Sequence, residues 1–249
     1  MKKLYGLIGF PLSHSFSKKY FTEKFAKEQL TDCVYELFPL QDITGLPDFL
    51  VQYPDLKGFN VTIPHKQSII PFLDELAPTA QSAGAVNTVV IDEQGRLTGF
   101  NTDVIGFQKT LEPFADRHSK ALVLGTGGAG KAVVYVLQKL GIPHILVSRH
   151  FGNNVLAYSD LDQNIISEHT LIINTTPLGM YPAKDTCPPI PFQYITENHL
   201  LYDLVYNPTE TLFLSRGKEQ GAHIQNGLEM LYLQAEAAWE LWNPLNDNQ

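Results

Sequence analysis

The chain has 249 residues, with 18 basic and 26 acidic side chains for a formal net charge of −8, and is 44% hydrophobic and 18% charged. That hydrophobic share supplies a core and excludes a disordered chain. The acidic balance argues against general nucleic-acid binding, which depends on Lys and Arg at phosphates. At about 150 residues per domain, the length fits one large domain or two small ones.

The acid excess falls after residue 149 and reads as a solvated surface. Cys33 and Cys187 stand far apart with no CxxC or Cys/His cluster. Neither a zinc site nor a disulfide framework is indicated, and two reduced thiols fit a cytoplasmic protein. No apolar run reaches the roughly 18–20 residues of a membrane helix.

In chain order, LYGLIGF (4–10) reads as a first strand rather than a signal peptide, because the apolar run is short and ends at Pro11. Ser17 is the expected N-cap of a helix carrying Tyr20, Phe21, Phe25 and Leu30 on one side. VYELF (34–38) and GFNVTI (58–63) are further strands, the second followed by a helical segment through Ile69, Phe72 and Leu73. TVVID (88–92) and RLTGFN (96–101) flank Glu93-Gln94-Gly95 as a hairpin. A helix over 104–114 follows.

The pattern restarts near residue 120. KALVLG (120–125) is a buried strand, then come a helix over 128–140 and the strand HILVSR (144–149). TLIINTT (170–176) and LLYDLV (200–205) are later strands, and a helix over 227–242 ends the chain. Residues 150–168 are polar and ambiguous, and 181–198 are a Pro-rich loop. Alternating strands and helices predict α/β architecture with parallel sheets, and the restart predicts a second α/β unit.

Gly125-Thr126-Gly127-Gly128-Ala129-Gly130 is a GxGxxG between a buried strand and a long helix. In that setting the first glycine permits the tight turn and the second lets backbone approach a pyrophosphate. The third lets helix pack on strand, and the helix N-terminus attracts the phosphates. At the end of the next strand NAD enzymes carry Asp or Glu for the ribose 2′-OH. Here the text is Val147-Ser148-Arg149-His150, with no carboxylate. Arg149 can pair with a 2′-phosphate, so the sequence favours NADP.

Four short motifs in the first hundred residues are rich in small polar groups. They are Ser13-His14-Ser15, NVTIPHK (60–66), Gly84-Ala85-Val86-Asn87-Thr88 and Asn101-Thr102-Asp103. Asn60 and Thr62, two apart, share a strand face. Singly, each is also readable as a turn or a cap; Asp103 equally suits the N-cap of the next helix, and Lys66 a solvated lysine. Together they suggest a surface for a small polyhydroxylated or carboxylated molecule.

Taken with the cofactor motif, these residues resemble the shikimate dehydrogenase family. The likeness runs through GFPLSHS (9–15), NVTIPHK, AGAVNT (83–88), GFNTD (99–103), GTGGAG (125–130), NTTPLGM (174–180), YDLVYNPTETLFL (202–214) and the segment from Gly227 to Gln234. The resemblance implies two α/β domains, with the active site in the cleft between them. Residues 1–103 plus 227–249 would bind substrate, and 104–226 would form a Rossmann-type NADP-binding domain.

The implied reaction is reversible NADPH-dependent reduction of 3-dehydroshikimate to shikimate, on the way to the aromatic amino acids. Lys66 and Asp103 match the family's catalytic pair, and Ser13 and Ser15 the hydroxyls that hold the substrate carboxylate. Asn60 belongs to the same substrate surface. Thr62, Asn87 and Gln234 match binders of the ring hydroxyls, and Tyr206 a tyrosine of the substrate site. Gly125, Thr126, Gly127, Gly128, Ala129, Ser148, Arg149, Leu204 and Gly227 fall on the cofactor side.

One departure stands out. Relatives often read Asn-Arg-Thr after the second strand, with a further basic residue soon after. Here no Lys or Arg follows Arg149 until Lys184. Lys66 is open to two roles, proton shuttle or electrostatic donor to the developing alkoxide. Rival readings are an enzyme that also takes quinate or NAD, a folate-handling relative on the same plan, and a non-catalytic NADP-binding protein. A monomer or a homodimer is expected, with no metal, membrane or nucleic-acid partner.

Overall fold

The structure is a computed structural model and describes residues 2–12, 15–149, 152 and 154–244. The chain divides into two compact units, Met1–Thr102 with Ala235–Gln249, and Asp103–Gln234.

The first unit holds β1 (Lys3–Gly9), α1 (Phe16–Lys27), β2 (Cys33–Pro39), α2 (Leu46–Gln52), β3 (Leu56–Val61), β4 (Glu75–Leu76), α3 (Pro78–Ala83), β5 (Thr88–Ile91) and β6 (Leu97–Phe100). Its six strands form one mixed sheet in the order β2-β1-β3-β5-β6-β4. β1 runs parallel to both neighbours, whereas β5 is antiparallel to β3 and β6. The expected hairpin is β5–β6, with Gly95 at φ 78° in the turn.

Two expectations are corrected here. The cap of α1 is Ser15, whose hydroxyl accepts from Lys18 N, so Ser17 lies inside the helix. The helix expected near Ile69 is only a 3₁₀ turn, Ile70–Phe72. Pro64 and Pro71 lack the N–H that an α-helix needs.

The second unit holds α4 (Thr102–Ala115, entered from the first unit), β7 (Ala121–Leu124), α5 (Gly128–Lys139), β8 (His144–Ser148), β9 (Val155–Ala157), α6 (Gln163–Glu168), β10 (Leu171–Asn174), β11 (Leu200–Asp203), α7 (Leu212–Glu219) and β12 (His223–Asn226). All six strands are parallel, in the order β9-β8-β7-β10-β11-β12. Read by position, that is the dinucleotide-binding order, with the switch point between β7 and β10. β7, β10 and β11 are buried at every residue. That explains why they read as unbroken apolar runs rather than alternating ones. The ambiguous stretch resolves into β9, a 3₁₀ turn and α6, which Asp162 caps by accepting from Ile165 N at 2.8 Å.

The last helix, α8 (Leu228–Trp242), starts in the second unit and ends in the first. In the first unit Trp239 and Trp242 are buried with Tyr5, Phe21, Phe25 and Tyr35. The Tyr5 ring meets Trp239 edge-on at 5.5 Å and stacks on Trp242 at 5.1 Å. Trp242 Nε1 donates to Val89 O at 2.9 Å, so the indole seats apolar area and its polar atom together.

Candidate active site

In the first unit a buried set of amides and hydroxyls stands across the ends of β3, β5 and β6. The β3–β5 register sets Asn60 opposite Thr88. Tyr35 donates to Asn60 Oδ1 at 2.7 Å, and Asn60 Nδ2 donates to Asn87 O at 3.2 Å and Thr88 Oγ1 at 3.0 Å. Asn87 Oδ1 accepts from Thr102 N at 2.7 Å, and its Nδ2 donates to Thr102 Oγ1 at 3.0 Å. Asn101 Nδ2 donates to Ala85 O at 2.9 Å.

Polar groups this deep are costly unless bonded, and bonded they define one geometry. Both amide hydrogens of Asn60 are engaged inside the protein. Burial also drives the Tyr35 hydroxyl well above its ordinary pKa.

Thr62 and Lys66 leave this framework together. Thr62 N donates to Ile8 O and His65 N to Thr62 O, both at 2.9 Å, while Lys66 O accepts from Val86 N at 2.7 Å. The imidazole of His65 sits 2.6 Å from Leu40 O. The lysine backbone is thus pinned in a fixed turn, and the residue is half-buried. Ser15 is half-buried at the N-terminus of α1. Ser13 lies outside the described residues.

In the second unit Asp103 lies in the first turn of α4, which begins at Thr102, so Asp103 is not its cap. A carboxylate there is favoured by the helix dipole. The glycine turn has the properties its motif implies. Gly125 has φ 114°, which disfavours any side chain. A Cβ on Gly130 would lie 2.6 Å from Gly125 O, so helix and turn touch only because it is glycine. Around Gly127 a Cβ would meet nothing within 4 Å.

Gly127 begins α5 with no side-chain cap, which leaves first-turn N–H groups open to an anion. Thr126 and Gly127 are exposed, and Gly128 and Ala129 follow in the first turn. Across the switch point, Thr175 Oγ1 donates to Leu124 O at 2.8 Å and ties β10 to β7. These residues fit a dinucleotide pyrophosphate.

Ser148 ends β8, and Arg149 follows it, exposed; His150 lies outside the described residues. Leu204 N donates to Asn174 O at 3.0 Å. Gly227 packs so closely on Leu204 that a Cβ would fall 2.1 Å from its carbonyl oxygen. Tyr206 is half-buried, which raises its hydroxyl pKa. Gln234 Nε2 donates to Leu231 O at 3.0 Å within α8.

Reading residues in order missed Asp203. Its carboxylate is fully buried at the end of β11 and accepts from Asn174 Nδ2 at 2.9 Å, Val205 N at 3.0 Å and Thr211 Oγ1 at 2.5 Å. Burial pushes its pKa up to about 6 against the pull of those three bonds. Asn174 in turn accepts from Thr176 N and Thr176 Oγ1. One buried carboxylate therefore holds both loops that follow β10 and β11. The available signal was a polar residue closing each of two apolar runs, LIIN and LLYD.

No helix among the described residues is long and apolar enough to cross a membrane. No group of His, Cys, Asp or Glu among them is arranged to hold a metal ion.

Residues 7–89 match the family model for the shikimate dehydrogenase substrate binding domain. A shikimate dehydrogenase (NADP(+)) from Carboxydothermus hydrogenoformans is 38% identical over 96% of this chain and 91% of its own length. One from Desulforamulus reducens is 37% identical over 95% of this chain and 88% of its own.

Among solved structures, the Listeria monocytogenes shikimate 5-dehydrogenase in complex with shikimate and NAD aligns over 98% of this chain and 93% of its own. Its TM-score is 0.86 at 31% identity. The Thermus thermophilus enzyme in complex with NADP(H) and shikimate aligns over 98% and 94%, with a TM-score of 0.84 at 33% identity. A quinate dehydrogenase from Corynebacterium glutamicum in complex with NAD aligns over 98% and 94%, with a TM-score of 0.85 at 30% identity. Likeness at that identity over nearly the whole length, on the motifs described above, makes this chain a member of the shikimate dehydrogenase family.

Proposed function

We propose that the chain catalyses the reversible NADPH-dependent reduction of 3-dehydroshikimate to shikimate, in the cytoplasm, as a monomer or homodimer. Residues 1–103 with 227–249 take the substrate, and 104–226 take the cofactor. The observation that carries this reading is the union, in one chain, of the uncapped glycine turn at Gly125–Gly130 with the amide and hydroxyl framework behind Lys66.

Reducing the ketone needs a hydride on carbon and a proton on oxygen. NADPH supplies the hydride when bound. Lys66 gives the proton to the nascent alkoxide in reduction and takes it back in oxidation, and Asp103 orients the adjacent hydroxyl. Thr62, Asn87 and Gln234 bind ring hydroxyls, Ser13 and Ser15 the carboxylate, and Tyr206 closes the substrate side. Asn60 works through Asn87, since its own hydrogens are engaged. The N–H groups of Gly125–Ala129 hold the pyrophosphate. Ser148 and Arg149 would take the adenosine ribose with its 2′-phosphate, and Leu204 and Gly227 would lie on the cofactor side.

A second reading, an enzyme that also takes quinate or NAD, is favoured by the lone Arg149 at the strand end that reads the ribose. The test follows NADPH absorbance with purified protein and shikimate, with NAD and quinate substituted in parallel. Strong activity confined to shikimate and NADP supports the first reading. Comparable quinate or NAD turnover supports the second. Cofactor binding without turnover on any pair overturns both.

A further inference from the structure

The link between β8 and β9 is short for its topology. The strands are parallel, with Leu146 opposite Val155 and Ser148 opposite Ala157. Parallel neighbours are ordinarily joined by a crossover of a dozen or more residues, usually through a helix. Here only residues 149–154 intervene. Asn154 takes φ 60°, a left-handed conformation that asparagine tolerates better than most. Gly152 and Val155 exchange backbone hydrogen bonds of 3.0 and 3.1 Å.

This brevity determines what stands beside Arg149. Ser148 and Ala157 are the last paired residues, and Arg149 and Tyr158 each follow directly on one of them, where the two strands end at the carboxyl end of the sheet. That end is where open α/β sheets hold their ligands. The Tyr158 ring packs on the core cluster of this unit, which limits its freedom. Its hydroxyl feels the Arg149 charge, which draws its pKa down against the upward push of burial.

A neutral O–H donor beside a guanidinium suits a phosphate monoester, all of whose free oxygens accept. A vicinal diol calls instead for a carboxylate acceptor. The nearby carboxylate, Asp160, is turned to its own chain, accepting from Ala157 N at 2.8 Å.

We propose that Tyr158 is a cofactor-specificity residue, its hydroxyl donating to the 2′-phosphate of NADP alongside Arg149. It takes the place of the second basic residue that the sequence lacks. This rests on the reading that the second unit binds NADP.

The test is calorimetric binding of 2′,5′-ADP and 5′-AMP to the full chain and to Tyr158→Phe, which keeps the ring and its packing. Michaelis constants for NADP and NAD are measured alongside. The expected result is about tenfold weaker binding of 2′,5′-ADP, with 5′-AMP unaffected, as one charge-assisted hydrogen bond predicts. The Michaelis constant for NADP rises in step while that for NAD holds. Unchanged 2′,5′-ADP affinity in the variant, or equal losses for both nucleotides, overturns the proposal and leaves the NADP reading standing. Failure of the unaltered chain to bind either nucleotide overturns both.

Discussion

In the first unit the candidate ligand groups are side chains held in place by other side chains; in the second they are mostly backbone groups exposed because side chains are missing. Asn87 is fixed by Asn60 and Thr102 through bonds of 2.7 to 3.2 Å. The turn at Gly125 is held instead by a close approach that only glycine at 130 permits. The contrast suits the two tasks. A substrate with several hydroxyls is told from its analogues by directional donors and acceptors, whose loss leaves buried partners unpaired. A pyrophosphate needs only N–H groups and a helix end. Mutations should therefore fail in different ways in the two units.

The largest effect belongs to Lys66→Ala. Removing a general acid–base group is expected to lower kcat by about 10²–10⁴. The contact that pins this turn, Lys66 O to Val86 N, is backbone and survives the change. Steady-state kinetics with a urea denaturation curve check both halves: near-normal turnover, or a collapsed midpoint, would break the assignment. Trp242→Ala is the complementary change, at a core residue with no proposed part in binding or chemistry. It removes a buried indole, its stacking on Tyr5 and its bond to Val89 O. A cost of about 3–5 kcal/mol in unfolding free energy is expected, read by denaturation of the whole chain.

A smaller effect is expected at Gly130→Ala. The new Cβ would sit 2.6 Å from Gly125 O, a backbone atom that cannot swing aside. Relieving such overpacking typically costs about 1–3 kcal/mol, here as a displaced turn. NADP affinity should fall about ten- to hundredfold while shikimate affinity holds, measured by calorimetry with each ligand alone. Equal loss on both sides would contradict the division of labour between backbone and side chains.

Legibility follows the same division. Gly125 and Gly130 could be read because each is demanded by local geometry, and the parallel strands because burial on both faces leaves an unbroken apolar run. The β5–β6 hairpin announced itself through Gly95. The first-unit network was half legible. Asn60 and Thr62 are expected on one strand face, but β3 ends at Val61 and leaves Thr62 one residue past it, and what Asn60 meets is set by the pairing Asn60–Thr88, a property of register across the sheet. Asp203 went unread because its partners come from residues 174, 205 and 211. β9 and α6 were lost to brevity, at three and six residues, too few to show a period. The cap at Ser15 was misassigned to Ser17 because two serines flank the first helical residue, and only backbone geometry separates them.

The least disruptive test uses pH, and its two halves oppose each other within the second unit. His118 is buried at 7% exposure and bonded to Thr170 Oγ1 at 2.9 Å. Burial first, then the neighbouring His199, His223 and Arg117, holds its pKa below the ordinary histidine value of 6.5. Below that value the unfolded chain binds a proton that the folded chain resists, so this group removes stability as pH falls. Asp203 works the other way. Its pKa, pushed up to about 6 from 3.8, means that between those values the folded chain binds more protons. Its contribution therefore grows more favourable as pH falls through that window. Urea unfolding from pH 8 to 5 separates them: His118→Asn should flatten the acid loss and Asp203→Asn should steepen it. Profiles that shift in the same direction would show that the desolvation of these two groups does not govern the acid response of this unit.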